Sequence, residues 1–199
     1  MNKRVLVLFA VLIVVIFAFK FCNSKPGNKD TEAKPVPLAI GANSSSFNES
    51  FRWMLTTYFA LKDAFITGDT TKVNSAAISL VTSADSLKVN ELKGDTSGTI
   101  TETAKSFATS ISASSQAIIN EKDIEAKRSE FNVITDALWS LTRTVKYDGQ
   151  KIYYQYCPMA LNNRGGYWLS DVREIKNPYF GSKMPTCGET ADSLDYSKR

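Results

Sequence analysis

Two short segments near the end of the chain, Cys157-Pro158-Met159 and Met184-Pro185-Thr186-Cys187-Gly188, bring two thiols and two thioethers into one stretch of sequence. The chain has no histidine. It therefore lacks the side chain that most often moves protons near neutral pH, and the commonest nitrogen ligand for a metal. The donors left are soft, and thiolate and thioether sulfur select Cu(I), with its analogue Ag(I), over cations that prefer oxygen. Met184 and Cys187 are three positions apart, a spacing that one tight turn can converge on an ion. These residues predict a metal site made of Cys157, Met159, Met184 and Cys187. No catalytic residue is expected, because the chain offers no CxxC pair and no nucleophile elbow. Trp168 has two readings: an indole face covering a soft cation, or a packing residue.

The rival reading of the same cysteines is a disulfide. It depends on compartment, which the amino terminus addresses. Met1-Asn2-Lys3-Arg4 precedes an apolar run of fifteen residues, 5–19, extended past Lys20 by Phe21 and Cys22. This is the pattern of an export signal. As a helix, residues 5–21 would span roughly 25 Å, slightly short of a hydrocarbon core of about 30 Å, and Lys20 could snorkel at the edge. An uncleaved membrane anchor is favoured over a lipoprotein modified at Cys22 or a cleaved peptide, and all three export the rest. In an oxidising compartment a Cys157–Cys187 bridge is an ordinary fate for two thiols. A bridge needs no methionine, however, and each cysteine has one within three residues, so the balance favours copper.

Charge removes another class. Four of the 24 Lys and Arg lie in the first 25 residues without an acid beside them, so the remainder carries 20 basic and 20 acidic groups. The net charge of +4 thus reflects the flanks of the signal and not a basic face for nucleic acid. After the signal, residues 25–46 are rich in Pro, Lys, Asn, Ser and Gly and read as a flexible tether.

Four helices are expected to support the tail. Phe47, Phe51, Met54, Leu55, Tyr58, Leu61 and Phe65 recur at helical steps up to Gly68. Asp69 caps a second helix carrying Val73, Ala77, Leu80 and Ala84, which Lys93-Gly94 should close. Thr99 with Glu102 reads as a capping box for a third. Asp123 caps a fourth along Ile124, Phe131, Ile134, Leu138, Leu141 and Val145. Phe51, Trp53, Phe59, Phe107, Phe131 and Trp139 read as core or core-edge residues. Glu121, Asp123 and Glu125 read as solvated acids at a helix start. The fold expected is mainly α: an up-down four-helix bundle over residues 47–146, with a tail, 147–199, containing a small β-hairpin and an irregular Cys/Met loop. Residues 151–156 and Tyr167-Trp168-Leu169 supply the hairpin strands.

The chain also resembles the domain of unknown function 3347 family. The resemblance is carried by the run from Tyr58 to Phe65, by Arg128-x-x-Phe131, and by an ordered tail of Cys157-Pro158-Met159, Tyr167-Trp168-Leu169-Ser170, Asn177-Pro178-Tyr179-x-Gly181 and Met184-x-x-Cys187-Gly188. It extends over residues 47–188, with the tail as its specific part. The resemblance implies an exported bacterial helical domain, found alone or attached to periplasmic adaptor subunits of copper and silver efflux pumps. It implies no stand-alone catalytic motif. The functional expectation is a membrane-tethered protein on the periplasmic side that binds Cu(I) or Ag(I) and buffers it or hands it to an efflux component. The alternative is a non-enzymatic interaction module stapled by Cys157 and Cys187.

Overall fold

The computed structural model describes residues 43–197. The expected signal or anchor, 1–24, lies outside the described residues, as does the expected tether except for its last four positions. Among the described residues no helix is long and apolar enough to cross a membrane.

The protein is mainly helical, with a small antiparallel sheet at its carboxyl-terminal end. Helix α1 covers Ser45–Thr67; its start is capped by Ser44, whose side chain accepts from the Phe47 amide, and its end by Gly68 in the left-handed conformation. Helix α2 covers Thr70–Asp85, with the Asp69 side chain accepting from the Lys72 amide. It ends sooner than Lys93-Gly94. Leu87 and Val89 still reach the core, but from a following 3-10 turn, Val89–Glu91.

Helix α3 covers Thr99–Asn120, and here the capping-box expectation fails. The cap position is Gly98, at φ 75°, with no side-chain cap hydrogen bond. Asp95 does the work from further back, accepting from the Thr101 amide at 2.7 Å, and Glu102 pairs with Lys105 at 2.9 Å. Helix α4 covers Ile124–Val145; the Asp123 side chain accepts from the Ala126 amide at 2.8 Å. Each of these helices packs on the next in sequence. The aromatic assignments hold for Phe51, Phe131 and Trp139, which are buried, whereas Trp53 is 44% exposed.

Strand β1, Ile152–Cys157, is central in the sheet, flanked by β2, Gly166–Ser170, and β3, Glu189–Leu194, both antiparallel to it. Between β1 and β2 a short helical segment, α5, covers Ala160–Asn163; Leu161, Asn162 and Asn163 have positive φ, so it is a left-handed turn in effect. The hairpin strands match the expectation. The third strand does not, because Glu-Thr-Ala-Asp-Ser-Leu carries little apolar alternation and sits at a sheet edge where its faces need not be buried.

The sheet is joined to the helices by one shared core. Tyr58 on α1 stacks on Phe131 of α4, with ring centroids 5.3 Å apart. Its hydroxyl shares a 2.7 Å hydrogen bond with Thr135 and accepts from the Leu169 amide of β2 at 3.0 Å. The Tyr167 amide donates to the Asn132 side chain at 2.9 Å. Helix side chains thus satisfy the outward N–H groups of β2, which blunts that sheet edge. A stack of Trp139, Tyr154 and Tyr167, with centroid spacings of 4.4 and 4.6 Å, continues the contact between α4 and the sheet.

Candidate functional site

Cys157 ends β1, and Cys187 lies two residues before β3. Because Tyr156 pairs with Glu189 across the β1–β3 ladder, the register brings the two cysteines side by side although they are 30 residues apart in sequence. Their Sγ atoms are 2.7 Å apart. Cys157 is fully buried, and Cys187 is partly exposed. The contact with Cys157, and then burial, pushes the Cys187 thiol pKa up. That is the opposite of the depressed value that makes a cysteine a ready nucleophile or a preformed thiolate ligand.

The segment before Cys187 is held by Asn177, which is fully buried. Its side-chain amide donates to the Cys187 carbonyl at 2.7 Å, its backbone N–H donates to the Pro185 carbonyl at 2.9 Å, and its side-chain oxygen accepts from the Tyr179 amide at 2.7 Å. In the sequence Asn177 stands out only within the Asn177-Pro178-Tyr179-x-Gly181 motif, with no positioning role assigned to it. The available signal was the residue type: an Asn before Pro can bond its own backbone two residues on, and so build a turn as well as interrupt one.

The tight turn expected between Met184 and Cys187 is present. The Cys187 amide donates to the Met184 carbonyl at 3.3 Å, with Pro185 at the second position, where its fixed φ fits. Gly188 follows at φ 139°, and a Cβ there would meet Trp168 and the Tyr156 carbonyl oxygen at 2.7 Å. Only glycine lets the chain pass this close beside the cysteine pair.

The methionines are placed differently from the cysteines. Met159 is 48% exposed. Met184 lines a cavity with Arg128, Tyr179 and Phe180 whose walls contain neither cysteine. Trp168 is fully buried, meets Tyr179 edge-on with centroids 6.2 Å apart, and has an indole N–H without a partner among the described residues. Of the four candidate ligands, the fold brings Cys157 and Cys187 together.

The acids 121, 123 and 125 are each engaged locally. Glu121 accepts from the Lys122 and Asp123 amides, Asp123 caps α4, and Glu125 pairs with Arg128. Arg128 itself is a residue the sequence did not mark as buried. It is 8% exposed, and its Nε donates to the Pro178 carbonyl at 3.1 Å, tying α4 to the tail.

No curated protein and no solved structure gives a significant match to this chain. A family model does, over residues 54–149, ending before the cysteine-bearing tail. The chain therefore carries, from within α1 to just past α4, the domain described as Protein of unknown function (DUF3347).

Proposed function

We propose that this protein is an exported, membrane-tethered, non-enzymatic interaction module: an up-down four-helix bundle onto which the carboxyl-terminal sheet is stapled by a Cys157–Cys187 disulfide. The observation that carries the reading is the cysteine pair. Two sulfurs 2.7 Å apart stand less than 1 Å beyond the disulfide length of about 2.05 Å. Two thiolates sharing one ion, with metal–sulfur bonds of about 2.3 Å in tetrahedral geometry, would stand roughly 3.8 Å apart. The full burial of Cys157 also suits a structural bridge better than a ligand open to an incoming metal.

The test is a thiol count on the full chain taken from its native compartment without reductant. Cys157 and Cys187 should be unreactive to a maleimide until a phosphine is added, whatever the state of Cys22, and maleimide mapped to both Cys157 and Cys187 at the outset would refute the staple.

A second reading keeps one specific observation. A backbone turn joins Met184 to Cys187, and Met159, two residues after Cys157, is open to solvent. In this reading the reduced tail opens slightly and collects Cu(I) or Ag(I) on Cys157, Met159, Met184 and Cys187, for exchange with an efflux component. As the pair stands, its spacing does not fit a shared ion, so binding has to move the strands apart. Titrating Cu(I) against a competing chelator, with reduced wild type and with Met159→Leu/Met184→Leu, decides it: equal binding by both proteins removes the four-sulfur site.

A further inference from the structure

A cavity of about 450 Å³ lies between the last turn of α1, the first turns of α4 and residues 179–184. Its charged wall is Arg128. The guanidinium is positioned by its Nε bond to the Pro178 carbonyl, and Nη1 donates to Glu125, whose side chain is 66% exposed at the rim. A guanidinium carries five N–H donors in a planar fork. Among the described residues Nη2 has no hydrogen-bond partner.

The rest of the lining sets the kind of group that could use this donor edge. Lys183 adds a second cation, while Ile66, Tyr179, Phe180 and Met184 give apolar surface. The Tyr179 hydroxyl is committed to Asn132 and to the Tyr167 carbonyl, so its ring is what it brings to the cavity. A planar monoanion matches one edge of a guanidinium fork. A dianion would meet repulsion from Glu125 as well.

We propose that this cavity binds the carboxylate of a small apolar acid or of an apolar peptide end, with the carboxylate accepting from Nη2 of Arg128 and Lys183 adding attraction at the mouth. The site goes beyond the stapled-module reading and uses neither cysteine.

The experiment is a titration of the full chain, followed by backbone amide NMR. Benzoate serves as the free acid, N-acetylphenylalanine as the peptide end, benzamide as the neutral control and inorganic phosphate as the dianion. The expected result is saturable movement of the amides of Gly181, Ser182, Lys183 and Met184, with a Kd near about 1 mM for at least one carboxylate; the tighter of the two identifies the source. Lys183→Gln, at an exposed position, should weaken that binding several-fold with the remaining spectrum unchanged. Arg128→Lys, which keeps the charge but loses the fork, should weaken it more. Equal binding of benzamide, saturation by phosphate alone, no saturable shift, or undiminished binding by both variants would each overturn the proposal.

Discussion

Breaking the Cys157–Cys187 connection should lower stability by an amount set by the loop it closes. The cysteines are 30 residues apart, and the chain-entropy relation for a loop of that length gives about 3.6 kcal/mol at 25 °C. For a domain of this size each kcal/mol moves Tm by roughly 2 to 4 °C, so the loss should be roughly 7 to 14 °C. The perturbation is a phosphine reductant, which leaves both side chains in place and adds no cavity term. The assay is paired thermal melts followed by far-UV circular dichroism, with alkylation and intact mass confirming the thiol state of each sample. Cys157→Ala/Cys187→Ala should melt at or below the reduced wild type, because Cys157 is fully buried and its loss also removes packing. If Cys157 and Cys187 are both unreactive in the unreduced sample and yet the two melts coincide within about 2 °C, the loop-closure reasoning is wrong for this fold.

Tyr58→Phe keeps the stack on Phe131 but removes the hydroxyl shared by Thr135 and the Leu169 amide. It should cost about 1 to 3 kcal/mol in urea denaturation, and an unchanged midpoint would show that those buried groups find other partners. Gly188→Ala would place a Cβ 2.7 Å from both Trp168 and the Tyr156 carbonyl oxygen, at φ 139°; a loss of about 1 to 3 kcal/mol is expected, with a melt equal to wild type counting against the close approach. Backbone N–H donors hold the carboxyls of Asp69, Asp95 and Glu121 below their usual range, the leading donors being Lys72, Thr101 and Asp123. Their stabilisation is therefore present above the unfolded-state pKa, near 4, and disappears as pH falls through the lower folded value. Asp95→Ala should weaken the acid dependence of the urea midpoint below about pH 4, and parallel wild-type and variant curves would refute the capping role of Asp95.

Periodicity made the helices legible because apolar residues recur at helical steps, broken in the third by the buried Ser114 and Ser115, and two begin at caps the sequence names, Asp69 and Asp123. The third helix misled for a physical reason. Thr99 and Glu102 have the spacing of a capping box, but Gly98 at positive φ turns the chain so that Asp95, four residues before Thr99, reaches the helix amides instead. The third strand was hidden because it packs mainly on β1 and carries no burial pattern, whereas β2, at the other edge, is buried against the helices. For the candidate site, residue types singled out the four sulfurs, but only the β1–β3 register separates the two that meet from the two that do not. Register depends on pairing between distant segments, and Asn177, which fixes the approach of Cys187, shows in sequence only as the residue before a proline.

The placement of Arg128 bears on where the working surface of the molecule lies. The matched family segment stops at Gly149, yet Arg128 and Phe131, inside that segment, are completed from outside it: Pro178 accepts from Arg128, and Tyr179 packs on Phe131 with centroids 6.0 Å apart. Leu169, Trp168 and Cys157 belong to the same core as Tyr58 and Phe131. A buried guanidinium left without its carbonyl partner costs more than an ordinary lost contact, because a charge taken out of water must be hydrogen-bonded. The helices alone would therefore expose Tyr58 and strand Arg128, and the sheet is part of what makes them stable. A staple at Cys157 and Cys187 acts on that same junction: by holding β3 and the Asn177 turn against β1, it also holds Pro178 over Arg128 and keeps the wall of the cavity in place. In the proposed module the same ties that satisfy Arg128 and bury Tyr58 also shape the cavity between helices and tail, so weakening the junction should loosen both at once.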